Sequence, residues 1–205
     1  MKLYLIRHAQ SEGNVRGALD TALPGPPLTE LGRQQAEALT QRLSGDPVVA
    51  VYASRAIRAQ QTAGAVAAAA DMEVQVIDGV QEVAAGDLEG RTDREAIETY
   101  LGTLGPWTRG ELTRRMPGGE TGEQVRARFL GAVEEVTAKH AEIHPDGIVV
   151  LVSHGGLMRL GGEWLADNIR PEIADKELLP NTAVVELESR AEGGWHCLRW
   201  ADLRP

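Results

Sequence analysis

The chain reads as a three-layer α/β/α sandwich around a mostly parallel central sheet, and three observations carry that reading. Apolar runs at 3–6 and 148–152 stop abruptly at polar or small residues, Arg7-His8-Ala9 and Ser153-His154-Gly155-Gly156. Such runs are buried parallel strands that deliver side chains to their C-terminal edge. Helical periods lie between them, and strand–helix alternation is the signature of a layered α/β domain. With 205 residues and 42% apolar composition, the chain can bury a sizeable core.

The elements follow in order. Residues 2–6 form the first strand. Pro24-Gly25-Pro26-Pro27 is a loop, because proline restricts itself and its predecessor. Thr29 caps a helix of about four turns, with Leu31, Ala36, Leu39 and Leu43 facing inward, and Gly45-Asp46-Pro47 ends it. A second strand covers 48–52, followed by a helix over 55–70, and a third strand covers 73–77. A glycine-bearing loop then runs through Glu82 to Gly90. Residues 92–121 interrupt the alternation, with a helical piece at 95–101, a break at Gly105-Pro106-Trp107 and a loop at Pro117-Gly118-Gly119. Long insertions of this kind are often functional, so this one reads as a cap over a site. A long helix spans 122–143, a fourth strand 148–153 and a helix 157–166. The tail at 183–187 and 195–200 is a hairpin around Gly193-Gly194. No repeat or low-complexity linker divides 1–205, which reads as a single domain.

Composition narrows the function classes. A net charge of −9 argues against nonspecific nucleic-acid or anionic-membrane partners. An anionic ligand therefore needs a local basic cluster. Aromatics are only 4%, so Ala, Val, Leu and Ile must fill the core. Cys197 is the single cysteine, which points to a reducing compartment. The opening apolar run is too short for a signal-peptide core or a spanning helix, and a cytoplasmic location is expected. The preference for arginine over lysine, with abundant alanine, fits a bacterial genome rich in GC.

Chemistry concentrates at the strand ends: Arg7 and His8, then Ser54 with Arg58 one turn on, then Glu82, then His154 with Gly155 and Gly156. Paired guanidinium groups suit phosphate, offering forked donors to two oxygens. The two glycines let backbone N–H groups approach an anion at a helix start. A histidine nitrogen can attack phosphorus when the transferring group is held in line. In this reading Arg7, Arg58 and a protonated His154 brace the charge, and Glu82 supplies a proton to the leaving oxygen. No metal-ligand set accompanies the cluster. His140 and His144 stand at i, i+4 but lack a third ligand, and Arg114-Arg115 reads mainly as surface charge.

These residues fall in blocks. Arg7-His8 with Asn14 is followed by Pro27-Leu28-Thr29 with Gly32 and Gln35-Ala36, then by Ser54-Arg55-Ala56-Ile57-Arg58 running on to Gln61-Thr62-Ala63. Glu82 with Gly86 and Glu89-Gly90, Pro117-Gly118-Gly119-Glu120 and Ser153-His154-Gly155-Gly156 complete the series. In this order they resemble the histidine phosphatase (phosphoglycerate mutase-like) superfamily, phosphatase branch. The resemblance implies that His8 takes up the phosphoryl group as a phosphohistidine. It implies that Arg7, Asn14, Arg58 and His154 bind that group and that Glu82 is proton donor and then base for water. It implies no metal and no cofactor, a small phosphorylated metabolite as substrate, and often a homodimer, for which the C-terminal hairpin offers an edge. Beside the resemblance, Gly155 at the helix start and the nearby polar Gln10 are read as further phosphate contacts, Gln10 with solvent as its alternative. Ala9 stands where the family usually has glycine, and Leu88 where many members have tryptophan.

The activity expected is a metal-independent phosphomonoesterase. The nearest alternative is a phosphoglycerate mutase. Mutases of the family usually carry a longer insertion and a His-Tyr-Gly after the acid, where this chain has Ala84-Ala85-Gly86. A non-catalytic phospho-ligand binding module is the alternative from another class.

Overall fold

The computed structural model describes residues 1–175 and 178–205. Among these residues six strands, β1 (Lys2–Arg7), β2 (Val48–Ser54), β3 (Val74–Ile77), β4 (Ile148–Ser153), β5 (Val184–Ser189) and β6 (Trp195–Trp200), form one sheet in the order β3-β2-β4-β1-β5-β6. β1 to β4 run parallel, while β5 is antiparallel to β1 and β6 to β5. The helices are α1 (Glu12–Arg16), α2 (Glu30–Arg42), α3 (Ile57–Ala69), α4 (Arg94–Thr108), α5 (Gly122–Ala141), α6 (Gly155–Leu165) and α7 (Pro171–Ala174).

Alternation along the strands divides the core in two. Leu3, Leu5, Tyr52, Val149 and Leu151 pack with residues of α4, α5 and α6, among them Leu104, Phe129 and Leu157. Tyr4, Ile6, Val51, Ala53, Val150 and Val152 pack instead with residues of α2 and α3. A strand buried on both faces has side chains committed to both layers, which is why these runs are apolar throughout. The low aromatic content is met by Ala59, Ala63 and Ala67, a stripe on α3 that packs directly against the sheet.

Three local expectations change. Leu31 is 49% exposed, because Gly32 presses on the Gln10 carbonyl and the inner face of α2 is Gly32, Ala36 and Leu39. Gly105-Pro106-Trp107 is not a break: α4 runs through it to Thr108. The residue before a proline normally leaves the helical region because its Cβ meets the proline ring, and Gly105 has no Cβ. Trp107 then sits fully buried, donating Nε1–H to the Arg114 carbonyl at 2.9 Å. The short helices α1 and α7 were not foreseen. Ser11 and Asn14 close a reciprocal cap on α1, a signal too local for periodicity to register.

Topology places the site. Arg7 of β1 is in register with Ser153 of β4, so His8 and His154 follow on adjacent strands at the same edge. β2 lies on the other side of β4 and brings Ser54, then α3 with Arg58, to that edge. Ligands of open α/β sheets bind at such an edge.

Candidate active site

His8 and His154 are 4% and 1% exposed, and their rings meet edge to face at 5.2 Å. His8 Nδ1 lies 2.7 Å from the Ala9 carbonyl, an acceptor, so Nδ1 carries the proton. Its Nε2 therefore keeps the lone pair and accepts from Arg58 Nε at 3.1 Å. Burial, with Arg58 close by, pushes the His8 imidazolium down to about 3, leaving the ring neutral near pH 7. This is an activated tautomer of a nucleophile, with one nitrogen fixed by the backbone and the other aimed among cations.

His154 overturns one expectation. Arg58 Nη2 lies 3.2 Å from His154 Nδ1, and a guanidinium only donates, so Nδ1 is unprotonated. Nε2–H then donates to Ser54 Oγ at 2.6 Å. Complete burial and the neighbouring Arg58 hold the imidazolium well below its usual range. The ring is neutral in this state, not protonated, because the space around it already holds two guanidinium groups.

Those guanidiniums are Arg7 and Arg58, both lowered from their ordinary range by burial and supported by Glu82. Arg7 Nη1 donates to the Leu179 carbonyl. Arg7 Nε and Arg58 Nη1 are buried without a hydrogen-bond partner among the described residues. Buried donors normally find partners, and these two belong to residues that line one cavity, where they can serve as donors for an anion. Asn14 joins the same cavity, its Oδ1 accepting from Ser11 N at 3.0 Å, which leaves its NH2 as donor.

Glu82 lies across the cavity. Its Oε2 accepts from Gly156 N at 2.9 Å, and its Oε1 from Leu157 N at 2.8 Å and from Val83 N at 2.9 Å. The carboxyl thus sits on the N-terminus of α6, where N–H groups lack helical partners. A Cβ at Gly156 would lie 2.8 Å from Glu82 Oε1, so this approach needs glycine there. Gly155 lines the cavity beside Arg7.

The other motif residues hold these groups in place. Thr62 Oγ1 accepts from Ala9 N at 3.0 Å and donates to the Arg58 carbonyl at 2.8 Å, tying β1 to α3. Gln35 and Gln61 accept from the Gln10 and Leu28 backbones at 2.9 and 2.8 Å. Glu89 accepts from Thr21 N and Ala22 N at 2.8 and 2.9 Å, and Thr21 Oγ1 also donates to it. Glu120 pairs with Arg128 Nε at 2.7 Å, and Arg128 Nη2 reaches the Glu82 carbonyl at 3.3 Å. Gly86 adopts φ 58°, and a Cβ there would lie 2.1 Å from the Pro117 carbonyl, so the Glu82 loop and the Pro117 turn interlock through that glycine.

The structure brings together Arg7, His8, Asn14, Arg58, Glu82, His154 and Gly155, but not Gln10. The Gln10 Oε1 accepts from Thr29 Oγ1 at 2.8 Å, at the start of α2, and neither Gln10 nor His154 lines the cavity; His154 meets it through Arg58 and the His8 ring. Ser54, singled out at its strand end, serves as the partner of His154, while Arg128 and Asn181 were missed as supports. Asn181 Nδ2 donates to the His8 carbonyl at 2.9 Å. Its signal lay in topology, since the residues before an antiparallel β5 must stand beside the residues after β1. Arg115 Nη1 binds the Gly119 carbonyl at 2.7 Å, and neither Arg114 nor Arg115 lines the cavity. His140 is not a free surface histidine, since its Nε2 lies 3.0 Å from the Tyr52 hydroxyl. Among the described residues no three of His, Cys, Asp and Glu gather as a metal site.

A three-layer sandwich with two histidines, two arginines and a carboxyl at one sheet edge defines a class of phosphoryl-handling enzymes built on histidine. The chain belongs to the histidine phosphatase superfamily, branch 1, whose family model matches residues 3–203. It is 35% identical over 159 residues to phosphoserine phosphatase 1 of Hydrogenobacter thermophilus, covering 78% of this chain and 73% of that protein. It is 32% identical over 196 residues to 2,3-bisphosphoglycerate-dependent phosphoglycerate mutase 2 of Gloeobacter violaceus, covering 93% and 87%. A mycobacterial glucosyl-3-phosphoglycerate phosphatase solved with VO3 superposes with a TM-score of 0.82 at 29% identity, covering 98% of each chain. The chain also matches PE-PGRS family protein PE_PGRS11 of Mycobacterium tuberculosis, at 33% identity over 208 residues and 95% of this chain, but spans only 35% of its length.

Proposed function

We propose that this chain is a phosphomonoesterase that works through a phosphohistidine on His8. The observation that carries the reading is the tautomer: His8 Nδ1 is committed to Ala9 while Nε2 keeps its lone pair beside Arg58. The ester phosphate enters between Arg7 and Arg58, whose unpartnered Nε and Nη1 bind its oxygens. His8 Nε2 attacks phosphorus, the P–O ester bond breaks, and Glu82, entering the cycle as the carboxylic acid that the hydrolysis step regenerates, gives its proton to the departing alkoxide. Water then attacks phosphorus as Glu82 takes its proton, the P–N bond breaks, and inorganic phosphate leaves with His8 restored. His154 stays hydrogen-bonded to Ser54 and Arg58 and positions the guanidinium.

The cysteine offers no competing nucleophile, since Cys197 is buried and burial pushes its thiol up to about 12. A single cysteine with no partner for an internal disulfide fits work in the reducing cytoplasm. No described helix is long and apolar enough to cross a membrane. Mutase activity is the second reading, motivated by the relative of that name. Purified protein offered 3-phosphoglycerate with a bisphosphate primer separates them: free phosphate should form faster than 2-phosphoglycerate, and the reverse order would make this a mutase. Vanadate, a mimic of pentacoordinate phosphorus, should inhibit hydrolysis.

A further inference from the structure

The catalytic groups occupy one end of a cavity of about 250 Å³, and the other end is built differently. Ile97, Tyr100, Leu101 and Leu104 of α4 line it. Their spacing is i, i+3, i+4, i+7, so a single apolar stripe of the helix faces the site. Leu19 and Leu178 line it as well. The Tyr100 hydroxyl is turned away and donates to the Val83 carbonyl at 2.9 Å, leaving the ring as its contribution.

Two further charged groups of the lining, Asp20 and Arg159, each hold a partner. Asp20 pairs with Arg16 at 2.7 Å. Arg159 donates to the Ala174 carbonyl at 2.7 Å and to Asp175 Oδ1 at 2.6 Å. An alkyl or aryl group that reaches the stripe is desolvated against it, which is the favourable term such a lining offers a substrate.

On the phosphatase reading above, we infer that the preferred substrates are phosphate monoesters of apolar alcohols, selected by the α4 stripe through Ile97 and Leu101. One apolar contact in such a pocket separates substrates by about tenfold or more.

The test is a panel whose leaving alkoxides are of similar basicity, so that leaving-group chemistry does not set the ranking. n-Hexyl phosphate and benzyl phosphate are compared with glycerol 3-phosphate, O-phosphoserine and 3-phosphoglycerate by kcat/KM. The apolar esters should lead by at least about tenfold, mainly through KM. Leu101 is 36% exposed, so Leu101→Asn is compatible with folding. It should lower the hexyl-to-glycerol efficiency ratio by about tenfold, Ile97→Asn should act in the same direction, and Leu101→Met should restore the ratio. Phosphoserine or 3-phosphoglycerate leading the panel would overturn the substrate class while leaving the phosphatase intact. Ratios unmoved in both Asn variants would overturn the assignment to α4. No hydrolysis of any ester would bring down the phosphatase reading, and this inference with it.

Discussion

The two ends of the cavity are made on different terms. At the phosphate end, His8, Arg58 and His154 are almost wholly buried, and each holds another by a hydrogen bond. They follow β1 and β4 and open α3, at the edge of the central parallel strands. At the far end the lining comes from one face of α4, whose neighbours Glu95, Glu98 and Thr99 are exposed, and from Leu178, itself 60% exposed. The chemistry is thus anchored to the sheet and the selectivity to a peripheral helix. Substitutions at the first end should change rate for every substrate, and those at the second should change only the ranking.

The largest expected effect is at His8. His8→Ala should lower kcat by about 10⁴-fold or more for all esters while the circular dichroism spectrum persists, because the ring lies at a strand edge. Loss confined to some esters would erase the distinction between the two ends. Arg58→Ala follows, with about 10³-fold lost from kcat, since it holds both His8 and His154 and offers Nη1 to the phosphate. Glu82→Gln should slow alkyl esters by about 10²-fold and nitrophenyl phosphate much less, because a good leaving group needs little protonation. Equal losses on both substrates would remove Glu82 as the proton donor.

How much of this was legible in the sequence follows the same division. His8, Arg58 and His154 were readable because strand ends and motif spacing fix where a side chain emerges. The protonation of His154 was not, since it depends on which atom Arg58 reaches, a distance set only by packing. Gln10 has the right type for a phosphate contact, but the sequence does not show that its amide oxygen is held by Thr29 and that the residue stands apart from the cavity lining. The α4 stripe was hidden by Gly105-Pro106, which reads as a break until glycine's missing Cβ is considered. Without a helix of that length, Leu104 has no face to share with Ile97.

A smaller effect concerns acid stability. His8 is lowered from 6.5 to about 3, and His154 is lowered too, so the unfolded chain binds more protons than the folded one between those values. Stability therefore rises with pH across that window, is fully present above about 6.5, and is lost as pH falls toward 3. Urea midpoints should drop on acidification less steeply for His8→Gln than for the parent protein, and parallel curves would show that His8 is not the group responsible. The smallest expected effect is that of chelators, which should leave kcat/KM unchanged; a loss restored by a divalent cation would replace the nucleophile account with a metal-assisted one.

Trapping the covalent species is the most direct test. The protein is mixed with ³²P-labelled ester, quenched in alkali within the first turnovers, digested and mapped. Label that survives base, is released by acid and lies on the peptide carrying His8, absent from His8→Ala, is the result this account predicts. Steady hydrolysis with no acid-labile label on that imidazole would contradict it.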